Sequence, residues 1–217
     1  KSLEAVTTGS GNTALSMGSG DSITDGHDNV IIGVGAGNAT TTVGNATIVG
    51  RKACQGIMTA NADGTVAIGY SALNLLTSGA GSVGIGYQAG DAITSGDYNT
   101  AIGYEALTAE PTGDRNTAVG FGLLQGADGT TNASNTAVGF ESGNAISSGF
   151  HNVTIGAKAG NAITTGDYNV MIGGESDPSG KNGQNQIVVG YGATGLADNT
   201  VTLGNASLTY VYIAQDS

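Results

Sequence analysis

Asn99-Thr-Ala-Ile-Gly103-Tyr104, Asn116-Thr-Ala-Val-Gly120-Phe121 and Asn135-Thr-Ala-Val-Gly139-Phe140 are three copies of one phrase. Each is a polar residue, a short run of Thr, Ala and β-branched residues, a glycine and an aromatic ring. The phrase continues as Asn152-Val-Thr-Ile-Gly156 and Asn169-Val-Met-Ile-Gly173. Upstream it reads Asn29-Val-Ile-Ile-Gly33, Val66-Ala-Ile-Gly69-Tyr70 and Val83-Gly-Ile-Gly86-Tyr87. Counted along the chain, the anchoring glycines are Gly18, Gly33, Gly50, Gly69, Gly86, Gly103, Gly120, Gly139, Gly156, Gly173, Gly190 and Gly204. Seven of the eleven intervals are 17 residues. A fixed period of this length marks a repeat architecture, in which each unit buries its apolar face against its neighbours.

The rest of the unit repeats as well. Ala89-Gly-Asp-Ala-Ile93-Thr-Ser-Gly96-Asp-Tyr98 matches Ala159-Gly-Asn-Ala-Ile163-Thr-Thr-Gly166-Asp-Tyr168, and Ser142-Gly-Asn-Ala-Ile146-Ser-Ser-Gly149-Phe-His151 is a third copy. Alternating β-branched positions predict strands. Glycine supplies the positive φ that tight corners need, and Asp and Asn bond backbone groups at such corners. The reading is therefore two short strands per unit, joined by glycine bends. Stacked at about 4.8 Å per coil, a dozen coils make a rod of roughly 55 to 60 Å. The expected fold is all-β, a solenoid (β-roll or triple β-helix) of about 12 coils. Residues 1–9 form a lead-in, 10–206 the repeats and 207–217 a closing strand.

Composition agrees. The chain has 39 glycines in 217 residues, 5% aromatic and 11% charged residues. Such a sequence lacks the large side chains of a thick core and must bury thin layers of small and β-branched residues. Apolar burial at roughly 25 cal/mol per Å² barely offsets backbone ordering at about 1 kcal/mol or more per residue. Association of identical chains would bury a second apolar face and remove exposed edges. With a net charge of −11 and only six basic residues, scattered from Lys1 to Lys181, nothing offers the basic face that nucleic acid requires. No apolar run is long enough to span a membrane as a helix.

The Asn-Thr-Ala-Ile-Gly-Tyr-x-Ala repeat, over about residues 10 to 206, resembles two families of homotrimeric fibres. One is the stalk of bacteriophage tail fibres and tailspikes that carry a self-cleaving C-terminal intramolecular chaperone. The other is the β-roll head of trimeric autotransporter adhesins, whose similar repeats have a period nearer 14. The 17-residue period and the Gly-Tyr-x-Ala continuation look more like the phage type. That resemblance implies a homotrimer, a virion location, contacts with other tail proteins and a host-surface receptor or glycan. The adhesin resemblance implies a bacterial surface instead. Asn199-Thr-Val-Thr-Leu-Gly204-Asn-Ala-Ser-Leu-Thr-Tyr-Val-Tyr-Ile213 looks like the last strand ladder before the chaperone, and Ser217 falls where the family's cleavage junction carries a serine. The Lys of a Ser-Lys pair is missing, so the chain is not expected to be a protease, and no other enzymatic set stands out.

Chemical motifs weigh less than the repeat. Gly190-x-Gly192-x-x-Gly195 spells a dinucleotide fingerprint, but strand pattern follows where that site needs a helix, so these are repeat glycines. His27 and His151 sit at equivalent corners without convergent ligands. Asp97, Asp114 and Asp167 read as solvated turn carboxylates rather than calcium ligands. No cofactor or metal is expected. Tyr98, Arg115, Phe150, His151 and Tyr168 share the corners and are the candidates for surface binding, against a reading as packing between neighbouring coils. Cys54 reads as a small buried hydrophobe. Recurring Thr-Thr and Thr-Ser pairs raise an ice-binding solenoid, but irregular coil lengths argue against a flat threonine array.

Overall fold

The computed structural model describes residues 1–109, 111–126 and 133–211. They form one parallel β-solenoid. Its twelve strands pair strictly in chain order. They are β1 (Thr13–Leu15), β2 (Val30–Ile32), β3 (Thr47–Val49), β4 (Val66–Ile68), β5 (Val83–Ile85), β6 (Thr100–Ile102), β7 (Thr117–Phe121), β8 (Thr136–Phe140), β9 (Val153–Ile155), β10 (Val170–Ile172), β11 (Ile187–Val189) and β12 (Val201–Leu203). Among the described residues the only helix is a 3₁₀ turn, Ala60–Ala62. Register holds without a slip: Thr100, Ala101 and Ile102 pair with Thr117, Ala118 and Val119, and these with Thr136, Ala137 and Val138.

Three expectations change. First, each unit contains one strand, not two. The Ala-Ile-Thr-Thr half is a series of turns that still bonds coil to coil, as in Gly90 N–H to Ala106 O at 2.9 Å and Thr94 N–H to Pro111 O at 2.9 Å. Turns replace a strand there because the chain repeatedly enters the left-handed region, at Gln88, Gly90, Glu105 and Leu107 among others. Second, Gly18 is not the first anchor. Leu15 pairs with Ile32, so Ser16 stands opposite Gly33, with φ +119°, and the first interval becomes 17. Third, at the far end, β12 stops at Leu203 and residues 204–211 contain no strand; the rest of the expected closing strand, 212–217, lies outside the described residues. Ile213 and Ser217 lie outside the described residues.

The anchoring glycines from Gly33 to Gly190 share φ between +126° and +140°. The requirement is steric as well as conformational. A Cβ on Gly103 would overlap the carbonyl oxygen of Gly120 in the next coil. At this glycine stack the chain leaves the sheet, except in β7 and β8, which run on to Phe121 and Phe140.

The core is a narrow column. In the ten inner strands the second residue is buried, as Ile31, Ile48, Ala67, Ala101, Ala118, Ala137, Met171 and Val188 show. Behind it lie Ala89, Ala106 and Ala159, with Ile93, Ile146, Ile163, Leu73, Leu107 and Leu124 filling the remaining width. Val and Thr at the flanking strand positions point outward rather than into the core, because a three-residue strand turns only its middle side chain inward.

Candidate functional site: the outward sheet face and the aromatic corners

The first and third positions of all twelve strands face away from the core. They contain only Thr, Val, Ile and Leu. Aliphatic side chains therefore stand on solvent along the whole rod: Val30 is 38% exposed, Ile68 37%, Ile155 39% and Ile187 40%. A third column, beyond the glycine stack, runs beside them. Tyr70, Tyr87, Tyr104, Phe121 and Phe140 stack with ring centroids 5.0–5.3 Å apart and planes within 14° of parallel. Arg51 closes the stack over Tyr70 at 5.8 Å. Stacking covers the ring faces and leaves the edges outward, which adds offset-stacking energy of about 0.5–1.5 kcal/mol per pair. A hydrogen bond to Glu105, with the charge of that carboxylate, holds the Tyr104 phenol above its ordinary pKa.

Inside the opposite edge of each strand runs an asparagine ladder. The backbone N–H of Asn116 donates to Oδ1 of Asn99 at 2.9 Å, that of Asn135 to Asn116 at 3.0 Å, and that of Asn152 to Asn135 at 2.9 Å. Asn169 and Gln186 continue the series. Each amide also looks forward: Asn135 Nδ2 donates to Gly149 O at 2.9 Å and Asn169 Nδ2 to Gly183 O at 2.7 Å. These amides are fully buried, so their hydrogen bonds are obligatory. Ala46, Thr65 and Ser82 interrupt the ladder in coils where the sheet register is unchanged.

The sequence-predicted corner residues do come together in part. Phe150, His151 and Tyr168 form one aromatic group with centroids 5.2–5.4 Å apart. Phe150 and Tyr168 come from neighbouring coils. Tyr98 and Arg115 stay exposed and join no ring cluster among the described residues. Tyr98, Arg115, His151 and Tyr168 all have φ between +55° and +60°. Glycine is thus not the only residue at the left-handed corners, a feature that a glycine-based reading does not reveal.

The aspartates at these corners are structural acceptors and only half-buried. Asp97 Oδ1 accepts Ala80 N–H at 2.8 Å, Asp114 Oδ1 accepts Asp97 N–H at 2.8 Å, and Asp167 Oδ1 accepts Phe150 N–H at 3.1 Å. The partners lie a full coil away, not within the same turn. Burial raises the pKa of Asp91 and of Asp177. At Asp177 desolvation outweighs the one hydrogen bond that opposes it, from Ala162 N–H at 2.9 Å.

His27 and His151 are exposed, and His27 pairs with Asp28, Nδ1 to Oδ2 at 3.1 Å. The described residues hold no cluster of three or more His, Cys, Asp or Glu side chains arranged for a metal. Cys54 is fully buried as a small core residue, and burial pushes its thiol far above the ordinary range. Gly190, Gly192 and Gly195 lie in turns of the solenoid, with no helix after them among the described residues. A hollow of about 540 Å³ at the C-terminal end is lined by Gly192, Thr194, Leu196, Thr202 and neighbours, none of them ionisable. No described helix is long and apolar enough to cross a membrane.

The asparagine ladder is the feature that sequence reasoning missed. Its signal was present, since an Asn stands four residues before the anchoring glycine in six of the quoted copies. A polar residue at a constant distance from a constant turn is a candidate for a buried ladder rather than a solvated end. No protein-family model, curated protein or solved structure matches the chain.

Proposed function

We propose that this chain is a segment of a rigid, non-catalytic fibre, built from three copies, that serves as the stalk or tip of a phage tail fibre in host attachment. The unbroken register of twelve parallel strands carries the reading. Eleven steps of about 4.8 Å give a rod of about 53 Å with a hydrogen-bonded coil at every level. A ladder of this kind resists bending and offers few loose segments to proteases, as a spacer between a particle and a surface requires. The number three and the virion setting rest on the resemblance of the repeat to phage fibres.

Small-angle X-ray scattering of the native particle tests the architecture. The expected result is a rod of about this length with a cross-section wide enough for three solenoids. The cross-section of a single solenoid contradicts the proposal.

A further inference from the structure

We infer that the outward face of the parallel sheet is the surface through which copies of this chain associate side by side, and that its occupant is a second copy of the same chain. The inference rests on the self-association proposed above and assigns it to one face.

Charge distinguishes this face from the rest of the rod. The chain carries 17 acidic and six basic residues, yet the first and third positions of all twelve strands hold no ionisable group. Arg51 is the exception in the neighbouring column, where it lies over Tyr70. The corner side bears Asp97, Asp114 and Asp167, so two such sides would meet with like charge. The outward sheet face can approach its own copy without that cost.

Size and period point the same way. The face spans about 53 Å along the axis and about 13 Å across from the first to the fifth strand position, or roughly 700 Å² per chain. Stable interfaces bury about 600–1,000 Å² per partner, a range that includes this face. A partner must also match a corrugation of about 4.8 Å over the full length. A second copy has that period by construction, and its aromatic column offers the same ring edges to pack against. Large exposed apolar patches of this kind mark interaction surfaces.

The test substitutes Ile102→Asp on the face and Thr112→Asp on the corner side, with masses read by analytical ultracentrifugation and folding checked by circular dichroism. Ile102→Asp is expected to weaken association by roughly a hundredfold or more, since it brings like charges together across the interface. Thr112→Asp is expected to assemble like the parent. A second measurement does not depend on tolerance of the charge: Ile102→Cys and Thr112→Cys are treated with a short bifunctional maleimide. Buried Cys54 does not compete. Chain-to-chain coupling through position 102 and not 112 supports the face. An assembled parent whose Ile102→Asp variant remains assembled, or whose coupling runs through position 112 instead, overturns the face and leaves self-association standing. A parent that sediments as one chain overturns both.

Discussion

Ala118 and Val119 are consecutive residues of β7, yet the smaller is fully buried and the larger stands partly exposed. The same inversion runs through the middle of the rod: Ala67, Gly84, Ala101 and Ala137 face inward, while Ile68, Ile85, Ile102 and Val138 face out. In these coils Leu73, Leu107 and Leu124 from the turn half fill the interior, and a Cβ on Gly84 would already meet Leu73, so the inner strand position takes Ala or Gly here while Ile31, Ile48, Met171 and Val188 hold it elsewhere. Nothing steric limits the outer face, and a lone soluble rod would gain by placing Lys, Glu or Ser there. It carries β-branched residues and rings instead. The difference teaches that the interior of one chain does not account for the apolar pattern of the strands.

The largest effect is expected where the two faces meet. Gly103→Ala puts a Cβ into the Gly120 carbonyl at φ +131°, and should cost more than about 3 kcal/mol in chemical unfolding at fixed chain concentration. Gly180→Ala, with open space around it, should stay within about 0.5 kcal/mol. A next pair sharpens the inside-outside contrast. Ala118→Leu overfills the core and should destabilise by about 1–3 kcal/mol, whereas Val119→Leu should leave the folded chain nearly unchanged. Equal penalties for the two would break the comparison.

The asparagine ladder gives a smaller, local contrast. Asn135→Ala removes the amide that donates to Gly149 O and the acceptor for Asn152 N–H. Stranding those buried groups should cost about 1–3 kcal/mol, read by thermal unfolding. Ser82→Asn, in the interrupted stretch, should recover part of a rung and raise the melting temperature. The smallest effect concerns pH. Folding raises the Asp177 pKa, so the folded chain favours the protonated carboxyl. Its contribution is fully present below the ordinary carboxylate range and is lost as pH rises through the raised value. Asp177→Asn should therefore gain relative to the parent as pH rises through that range in unfolding titrations.

Much of this was legible in the sequence, because the repeat is made of glycines whose backbone role is hard to fill otherwise. The glycines from Gly33 to Gly190 mark the end of every inner strand: eight of the ten strands stop one residue before theirs, and β7 and β8 run one residue past. Legibility failed where the signal was not glycine. Ala92-Ile-Thr-Ser95 looks like a strand by composition, but Gln88 and Gly90 just before it take left-handed conformations and the segment follows as turns. Tyr98, Arg115, His151 and Tyr168 occupy corner conformations that ordinary propensity assigns to Gly or Asn. Gly18 was a false anchor because Ser16 adopts the pivot conformation without being glycine. For the candidate site, alternation showed that the strands had two faces. It could not show which face was inward, since both carry apolar residues; only the narrow width of the coil decides that.

The central claim is that the outward face is covered by copies of this chain, and the mass of the native particle tests it most directly. Light scattering on a size-exclusion column should give three times the 21.2 kDa chain, in a particle that elutes as an elongated rod. A particle of one chain's mass, stable with its aliphatic face on water, would contradict the account.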